Sequence, residues 1–364
     1  MKEGENVADL QTLLGEVIRR NASDLHLSVS IPPAFRVDGE LCYAQKHAPL
    51  AASDMEGILS ELLNAEQRDV FRQKREYDFS FTFRGTGGET ARFRGNFFHE
   101  SGNVALALRL IPTAVRTIDQ LELPPILRDV AKKKRGLFLV TGPTGHGKST
   151  TLAAVVREIN ATRHDHIVTI EDPVEYLFTS EQCVVHQREV GSDTHSFAEA
   201  LKRALREDPD VIMIGEMRDL ETVSAAITAA ETGHLVLATL HTQDAAQSID
   251  RIVDVFPPHQ QGQIRVQLAT ILVGICSQQL IPRSGGGRAV ATELLLANPA
   301  VRNCVKEGKT NQIKTLIQTG GEIGMHTMEQ CLAGLVNRGA LSMEMAMSYA
   351  YDPKDLQRIL FEHR

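Results

Sequence analysis

The sequence predicts an α/β fold in which a core of alternating strands and helices follows a small α+β domain and leads into a helical tail. Three observations carry that expectation. Short apolar runs alternate with amphipathic helical runs between residues 137 and 291, period-two strand patterns fill the region before residue 111, and only helical spacing recurs after Pro299. The expected boundaries are 1–111 for the α+β domain, 112–125 for a linker, 126–298 for the core and 299–364 for the helical region.

Taken in order, residues 7–20 place Val7, Leu10, Leu14, Val17 and Ile18 at helical spacing. Residues 34–41 read as a hairpin turning at Asp38-Gly39. Phe79-Ser-Phe-Thr-Phe and Arg92-Phe-Arg-Gly-Asn-Phe alternate as strands across a Gly-rich turn at 84–89, and a strand at 104–111 is stopped by Pro112. In the core, strands are expected at 137–140, 167–170, 211–214, 235–238 and 289–291, with a helix over 197–206. Strands alternating with helices imply βαβ units and a mostly parallel sheet.

Composition narrows the function classes. The 364 residues are 42% hydrophobic and 23% charged, the balance of a soluble globular protein long enough for two domains. A formal net charge of -7, with 5% aromatics and no Trp, argues against a dedicated nucleic-acid binder. The N-terminal residues carry no secretory signal pattern, and the longest charge-free stretch, 266–281, is too short to span a bilayer. Five cysteines (Cys42, Cys183, Cys276, Cys304 and Cys331) without a C-x-x-C pair read as reduced thiols of a cytoplasmic protein. The run 132–135 reads as a solvated loop or helix end, and Gly285-Gly-Gly as a turn into a strand.

The chemistry begins at Gly142-Pro-Thr-Gly-His-Gly-Lys-Ser149, a G-x-x-x-x-G-K-[ST] loop set between an apolar strand and a helix. Its glycines let backbone N–H groups curl around phosphates, and the helix N-terminus favours the anion. Gly142, Thr144, Gly145, His146, Gly147, Lys148, Ser149 and Thr150 form the expected ATP-binding set. Within it Lys148 reaches the β- and γ-phosphates and the Ser149 hydroxyl ligates Mg²⁺. Two further apolar strands end in acids, Glu171 and Glu216, at the edge where α/β proteins bind ligands. One acid serves the metal and one the attacking water; the sequence leaves the division open, with Glu216 placed as a metal contact and Glu175 as the outsider. His241, at the end of the strand that begins after His234, is positioned to sense a γ-phosphate.

Several motifs in order resemble the retraction ATPase (PilT) family of bacterial type IV pili. Thr169-Ile-Glu-Asp-Pro-Val-Glu-Tyr176 is similar to its Asp box, and the segment from Asp208 through Glu216 to Asp219 to its atypical Walker B. Glu231-Thr-Gly-His-Leu-Val-Leu-Ala-Thr-Leu-His-Thr242 is similar to its His box. Ala22-Ser-Asp-Leu-His-Leu27, the segment 32–41 and Ser248-Ile-Asp-Arg-Ile-Val-Asp-Val-Phe-Pro257 extend the likeness across about residues 7–345. The resemblance implies a RecA-like P-loop core with a PAS-like N-terminal domain. It implies Lys148 and Ser149 at phosphate and Mg²⁺, Glu216 as Walker B acid, Glu171 as Asp-box acid and His241 beside the γ-phosphate.

The resemblance also implies a homo-hexamer whose N-terminal domains offer Arg92, Arg94 and Arg109 to the nucleotide. Such a motor works in the cytoplasm at the inner membrane, reaching the membrane only through a platform protein, with no direct nucleic-acid contact. Two departures stand out. His146 occupies a loop position where the family has Ser, which predicts pH-dependent nucleotide affinity. Ala300-Val-Arg-Asn-Cys-Val-Lys-Glu307 matches a helix tied to retraction but keeps only Ala300, Arg302, Asn303 and Glu307. The rival readings are an assembly or secretion motor of the same superfamily, a nucleic-acid translocase, and a non-hydrolysing nucleotide switch.

Overall fold

Two sheets organise the chain, and they differ in how many faces they bury. A computed structural model describes residues 9–362 except Asp38, Thr86, Gly87 and Thr113. The expected helix start at Val7, the turn residue Asp38 and the middle of the 84–89 turn lie outside the described residues. By internal contacts the chain divides into residues 1–114 with 175–177, and residues 115–174 with 178–364.

In the N-terminal unit, β1 (Asp24–Leu27), β2 (Ala34–Val37), β3 (Glu40–Tyr43), β4 (Glu76–Arg84), β5 (Thr90–Glu100) and β6 (Asn103–Ile111) form one sheet. Its order is β3-β2-β1-β6-β5-β4, and every neighbouring pair is antiparallel. Helices α1 (Leu10–Arg19), α2 (Ala52–Leu62) and α3 (Ala65–Lys74) supply Leu13, Leu14, Met55 and Phe71 to a core shared with Leu25, Phe93 and Phe97. Strand alternation therefore turns Phe93 and Phe97 inward and Arg92 and Arg94 outward.

The second unit holds β7 (Gly136–Thr141), β8 (His166–Glu171), β9 (Val184–Glu189), β10 (Val211–Ile214), β11 (Leu235–Leu240), β12 (Leu272–Pro282) and β13 (Arg288–Leu296). The sheet order is β13-β12-β7-β11-β10-β8-β9, parallel throughout except for the β12–β13 pair. Continuous apolar strands arise because both faces are covered. Leu137, Leu139, Ile212 and Ile214 pack on one side with α6 (Phe197–Ala204), α7 (Leu220–Glu231), α8 (Ala245–Asp254) and α9 (Pro258–Ile271). Phe138, Val140, Val211 and Met213 pack on the other with α4 (Leu127–Ala131) and α5 (Lys148–Thr162). Asp219 and Asp244 cap α7 and α8, each accepting a backbone N–H at 2.8 Å.

The α/β class holds, and the extent of the sheet differs from the expectation. Where a short strand was expected at 289–291, β12 and β13 form a long hairpin, with Gly286 and Gly287 at φ +90° and +75° in its turn. β9 was not expected: as an edge strand it is only partly covered and carries His186, Gln187 and Arg188 in place of a continuous apolar run. After β13 in sequence come α10 (Pro299–Glu307), α11 (Ile313–Thr319), α12 (Met328–Asn337), α13 (Met343–Tyr349) and α14 (Pro353–Glu362). Met328, Leu332, Ala346 and Leu356 from these helices cover Ile281, Ala289 and Ala291 of the hairpin. Arg302 on α10 donates to the carbonyls of Thr270 at 2.7 Å and Leu272 at 2.9 Å, satisfying the exposed C-terminal end of α9.

Candidate active site

The order of the parallel strands decides which side chains meet. β11 hydrogen-bonds to both β7 and β10, so the residue just past its C-terminal end stands between the segments that leave β7 and β10. Those three positions are His241, the 142–147 loop and Glu216.

The loop leaves β7 and enters α5 through glycines at φ +139° (Gly142), +80° (Gly145) and +80° (Gly147). At Gly142 a side chain is excluded on a second ground, because the carbonyl oxygen of Gln278 lies where a Cβ would be. Lys148 is 8% exposed, and its ammonium folds back onto the carbonyls of Gly142 at 2.8 Å and Pro143 at 2.9 Å. It also lies 3.5 Å from His241 Nδ1, with Thr144 Oγ1 at 3.3 Å from the same atom. An ammonium can only donate, so Nδ1 accepts and the ring proton sits on Nε2. From there it is donated to Glu216 Oε1 at 2.7 Å.

Glu216 Oε1 accepts a second hydrogen bond from Arg218 Nε. Burial opposes the charge on this carboxylate. The hydrogen bonds from Arg218 and His241 outweigh it and hold the group below the usual glutamate range. Gly215, the extra residue between β10 and the acid, lets the strand ends close up. Its N–H donates to Ile170 O at 2.8 Å, and a Cβ there would come within 3.3 Å of Glu171 Cα.

Thr144, Lys148, His241 and Glu216 thus form one continuous polar chain across three strand ends. Glu171 ends β8, one strand beyond β10; it is 5% exposed and accepts from Thr169 at 2.7 Å and Gln187 at 3.2 Å. Ser149 and Thr150 lie in the first turn of α5. Glu175 groups with residues 1–114 by contacts. His146 is tied to β12, its Nδ1 accepting the Leu280 N–H at 3.1 Å. Burial, with the charges of Lys148 and Arg288, pushes its imidazole below the usual histidine range.

The three arginines belong to the N-terminal sheet. Arg92 donates to Ser80 Oγ at 2.6 Å, and Arg109 Nε to Asp24 Oδ1 at 2.8 Å. Arg94 is the direct cross-strand neighbour of Arg109 on the face turned away from Phe93. Asp24 is buried, which opposes its charge; Ser23 and Arg109 overcome this and keep its carboxyl below the ordinary aspartate range. Two site residues carried no motif. Arg218 sat inside a recognised segment without a role, and Gln278 showed only as a polar residue in a mostly apolar stretch.

A P-loop closed onto a strand-end histidine and glutamate, in a parallel sheet, defines a P-loop ATPase, and the model of the type II/IV secretion system protein family matches residues 2–337. The chain is 46% identical over 347 residues to the type IV pilus retractation ATPase PilT of Pseudomonas aeruginosa, covering 95% of this chain and 99% of that one. It is 44% identical to the twitching motility protein of Neisseria gonorrhoeae, covering 89% and 86%. A crystal structure of the pilus retraction motor PilT with bound ADP superposes with a TM-score of 0.89 at 46% identity over 96% of this chain and 99% of that one. The chain belongs to the PilT family of type II/IV secretion system ATPases.

Proposed function

We propose that this chain is the force-generating ATPase of type IV pilus retraction, a cytoplasmic homo-hexamer acting on an inner-membrane platform protein and not on nucleic acid. The observation that carries the reading is the Lys148–His241–Glu216 chain in a protein similar to pilus retraction motors over nearly its whole length. Among the described residues no helix is long and apolar enough to cross a membrane.

ATP is the substrate. Lys148 exchanges its two carbonyl acceptors for phosphate oxygens, a charge-assisted replacement. Arg218 and His241, the latter donating from Nε2, together keep Glu216 ionised, and that carboxylate polarises the attacking water. The Ser149 hydroxyl and the Glu216 carboxylate are hard oxygen donors that suit Mg²⁺, with Glu216 held deprotonated as a ligand must be. Among the described residues no cluster of three or more carboxylate, histidine or cysteine side chains forms a ready-made cation site. When bound, Mg²⁺ supplies charge neutralisation on the phosphates. Arg92, Arg94 and Arg109 are offered to the nucleotide of a neighbouring subunit in a head-to-tail ring.

The test is the ATPase rate per subunit against protein concentration at saturating Mg²⁺. A rate that climbs as the ring assembles supports sites completed by neighbours. A constant rate down to concentrations where only monomer is present would remove the ring motor.

A further inference from the structure

We propose that Gln278 is a positioning residue for the nucleotide, an amide brace that holds the phosphate loop in its N–H-inward conformation from the strand beside it. The proposal rests on the nucleotide reading of the 142–149 loop and adds a residue outside its motif.

The geometry comes from unequal strand lengths. β12 runs parallel to β7 with Ser277 opposite Thr141, the last residue of β7, so residues 278–282 overhang the end of β7 and run beside the loop. Ser277, Gln278 and Leu280, at alternate or adjacent positions along this stretch, each touch the loop or its flanks. At its start, Thr141 Oγ1 donates to Ser277 Oγ at 2.8 Å. The Gln278 carbonyl fills the space that only a glycine at 142 leaves open. The Leu280 N–H bonds the His146 ring at 3.1 Å, and the Leu280 side chain packs where a Gly147 Cβ would come within 3.2 Å.

The Gln278 side chain makes the central link. It is fully buried, at 0% exposure. Its Nε2 donates to the His146 carbonyl at 2.6 Å, and its Oε1 accepts from Thr151 Oγ1 on α5 at 2.7 Å. The amide orientation is fixed by its partners, since a carbonyl can only accept. A carboxamide is the side chain of this length that offers a donor to the loop and an acceptor to the helix at neutral charge. In a trans peptide the C=O and N–H point opposite ways. Fixing the His146 oxygen toward β12 therefore turns the Gly147 N–H away from β12, into the hollow of the loop where a phosphate oxygen is received. Without that donor the 146–147 peptide is free to rotate and present a carbonyl to the anion.

The experiment uses the full-length chain with ADP as ligand and ATP as substrate. Gln278→Met keeps the length and burial but removes both the donor to His146 and the acceptor for Thr151. The expected result is ADP binding weaker by about tenfold with a parallel rise in the KM for ATP, kcat changing much less. A merely structural role would lower the melting temperature of the nucleotide-free protein and leave KM alone. Thr151→Val removes only the far anchor and is expected to weaken ADP by about threefold. If Gln278→Met does not fold, Thr151→Val decides, and ADP binding at the parent's affinity overturns the brace. Lys148→Ala runs alongside. Parental ADP affinity in the Gln278 variant with collapsed affinity in Lys148→Ala overturns the brace and leaves the nucleotide site standing; parental affinity in both overturns the nucleotide reading as well.

Discussion

The two sheets handle charge in opposite ways. The N-terminal sheet buries one face, and its arginines spread over the other: Arg109 pairs with Asp24 while its own side chain stays 69% exposed, and Arg36 reaches the same carboxylate at 3.6 Å. Water screens such contacts, so each contributes at most about 1 kcal/mol. The core sheet is covered on both faces, and the charges of the candidate site lie at the C-terminal strand ends, where Lys148 and Glu171 are nearly inaccessible. There the partners are backbone carbonyls, hydroxyls, an amide, a histidine and, at Glu216, the Arg218 guanidinium. The same side-chain types thus decorate one sheet and cluster in the candidate site of the other, and the controlling variable is how completely water is removed.

The sharpest way to break that contrast is Glu216→Gln. The isosteric amide keeps a contact to His241 or Arg218 but loses the negative charge that both support. ATP turnover is expected to fall by about 10²–10³-fold, the scale for losing one preorganised electrostatic group, with ADP binding changed far less. Steady-state ATPase and ADP titration check it. A parental rate would transfer the water-activating role to Glu171.

A buried acid away from the chemistry gives the next effect. Glu293 on β13 is 5% exposed. Burial pushes its carboxyl up to about 7; the charges of Asp244 and Glu329 add to this, against a hydrogen bond from the Ala245 N–H. In the unfolded chain the group titrates near 4.5. The folded protein therefore keeps a proton that the unfolded chain releases as pH rises from about 4.5 to 7. Stability from this group is full below that window and lost as pH climbs through it. Glu293→Gln stays neutral and still accepts from Ala245. It is expected to be more stable than the parent at pH 8 by up to about 3 kcal/mol, the gap closing toward pH 4.5. Melting temperatures of both proteins across that range measure it. A gap independent of pH would mean that the core ionises Glu293 without penalty.

The contrast also explains what could be read before any coordinates. Strands buried on both faces announce themselves as apolar runs, so β7, β8, β10 and β11 were visible, and with them Glu171 at the end of β8 and Glu216 just past the end of β10. The α/β class came with them. β12 was hidden because Ser277, Gln278 and Gln279 interrupt its pattern and because α9 passes into it at Leu272 with no breaker between. β9 was hidden because an edge strand has little apolar surface to bury. The pairing of His241 with Glu216 was hidden for a topological reason. β11 comes after β10 in sequence yet lies between β10 and β7 in the sheet, and no local pattern encodes that order.

The smallest effect on folding, and the most discriminating for the N-terminal sheet, belongs to Arg109. Truncation to Ala removes a largely exposed partner of Asp24 and leaves that carboxylate with Ser23 at 2.8 Å and Arg36 at 3.6 Å. The expected stability loss is below about 1 kcal/mol, a shift of a few degrees at most in the melting temperature. Any large drop in ATP turnover would therefore not come from unfolding. Asp24→Asn separates the remaining explanations, since it removes the ion pair and keeps the guanidinium. If Arg109→Ala alone lowers the assembled protein's turnover by tenfold or more, the guanidinium acts on the nucleotide across subunits. Equal losses in both variants would mean that the pair matters by orienting the arginine. Parental turnover in Arg109→Ala would make Arg109 one more solvated charge on an open sheet face, and the contrast between the two sheets would be complete at that position.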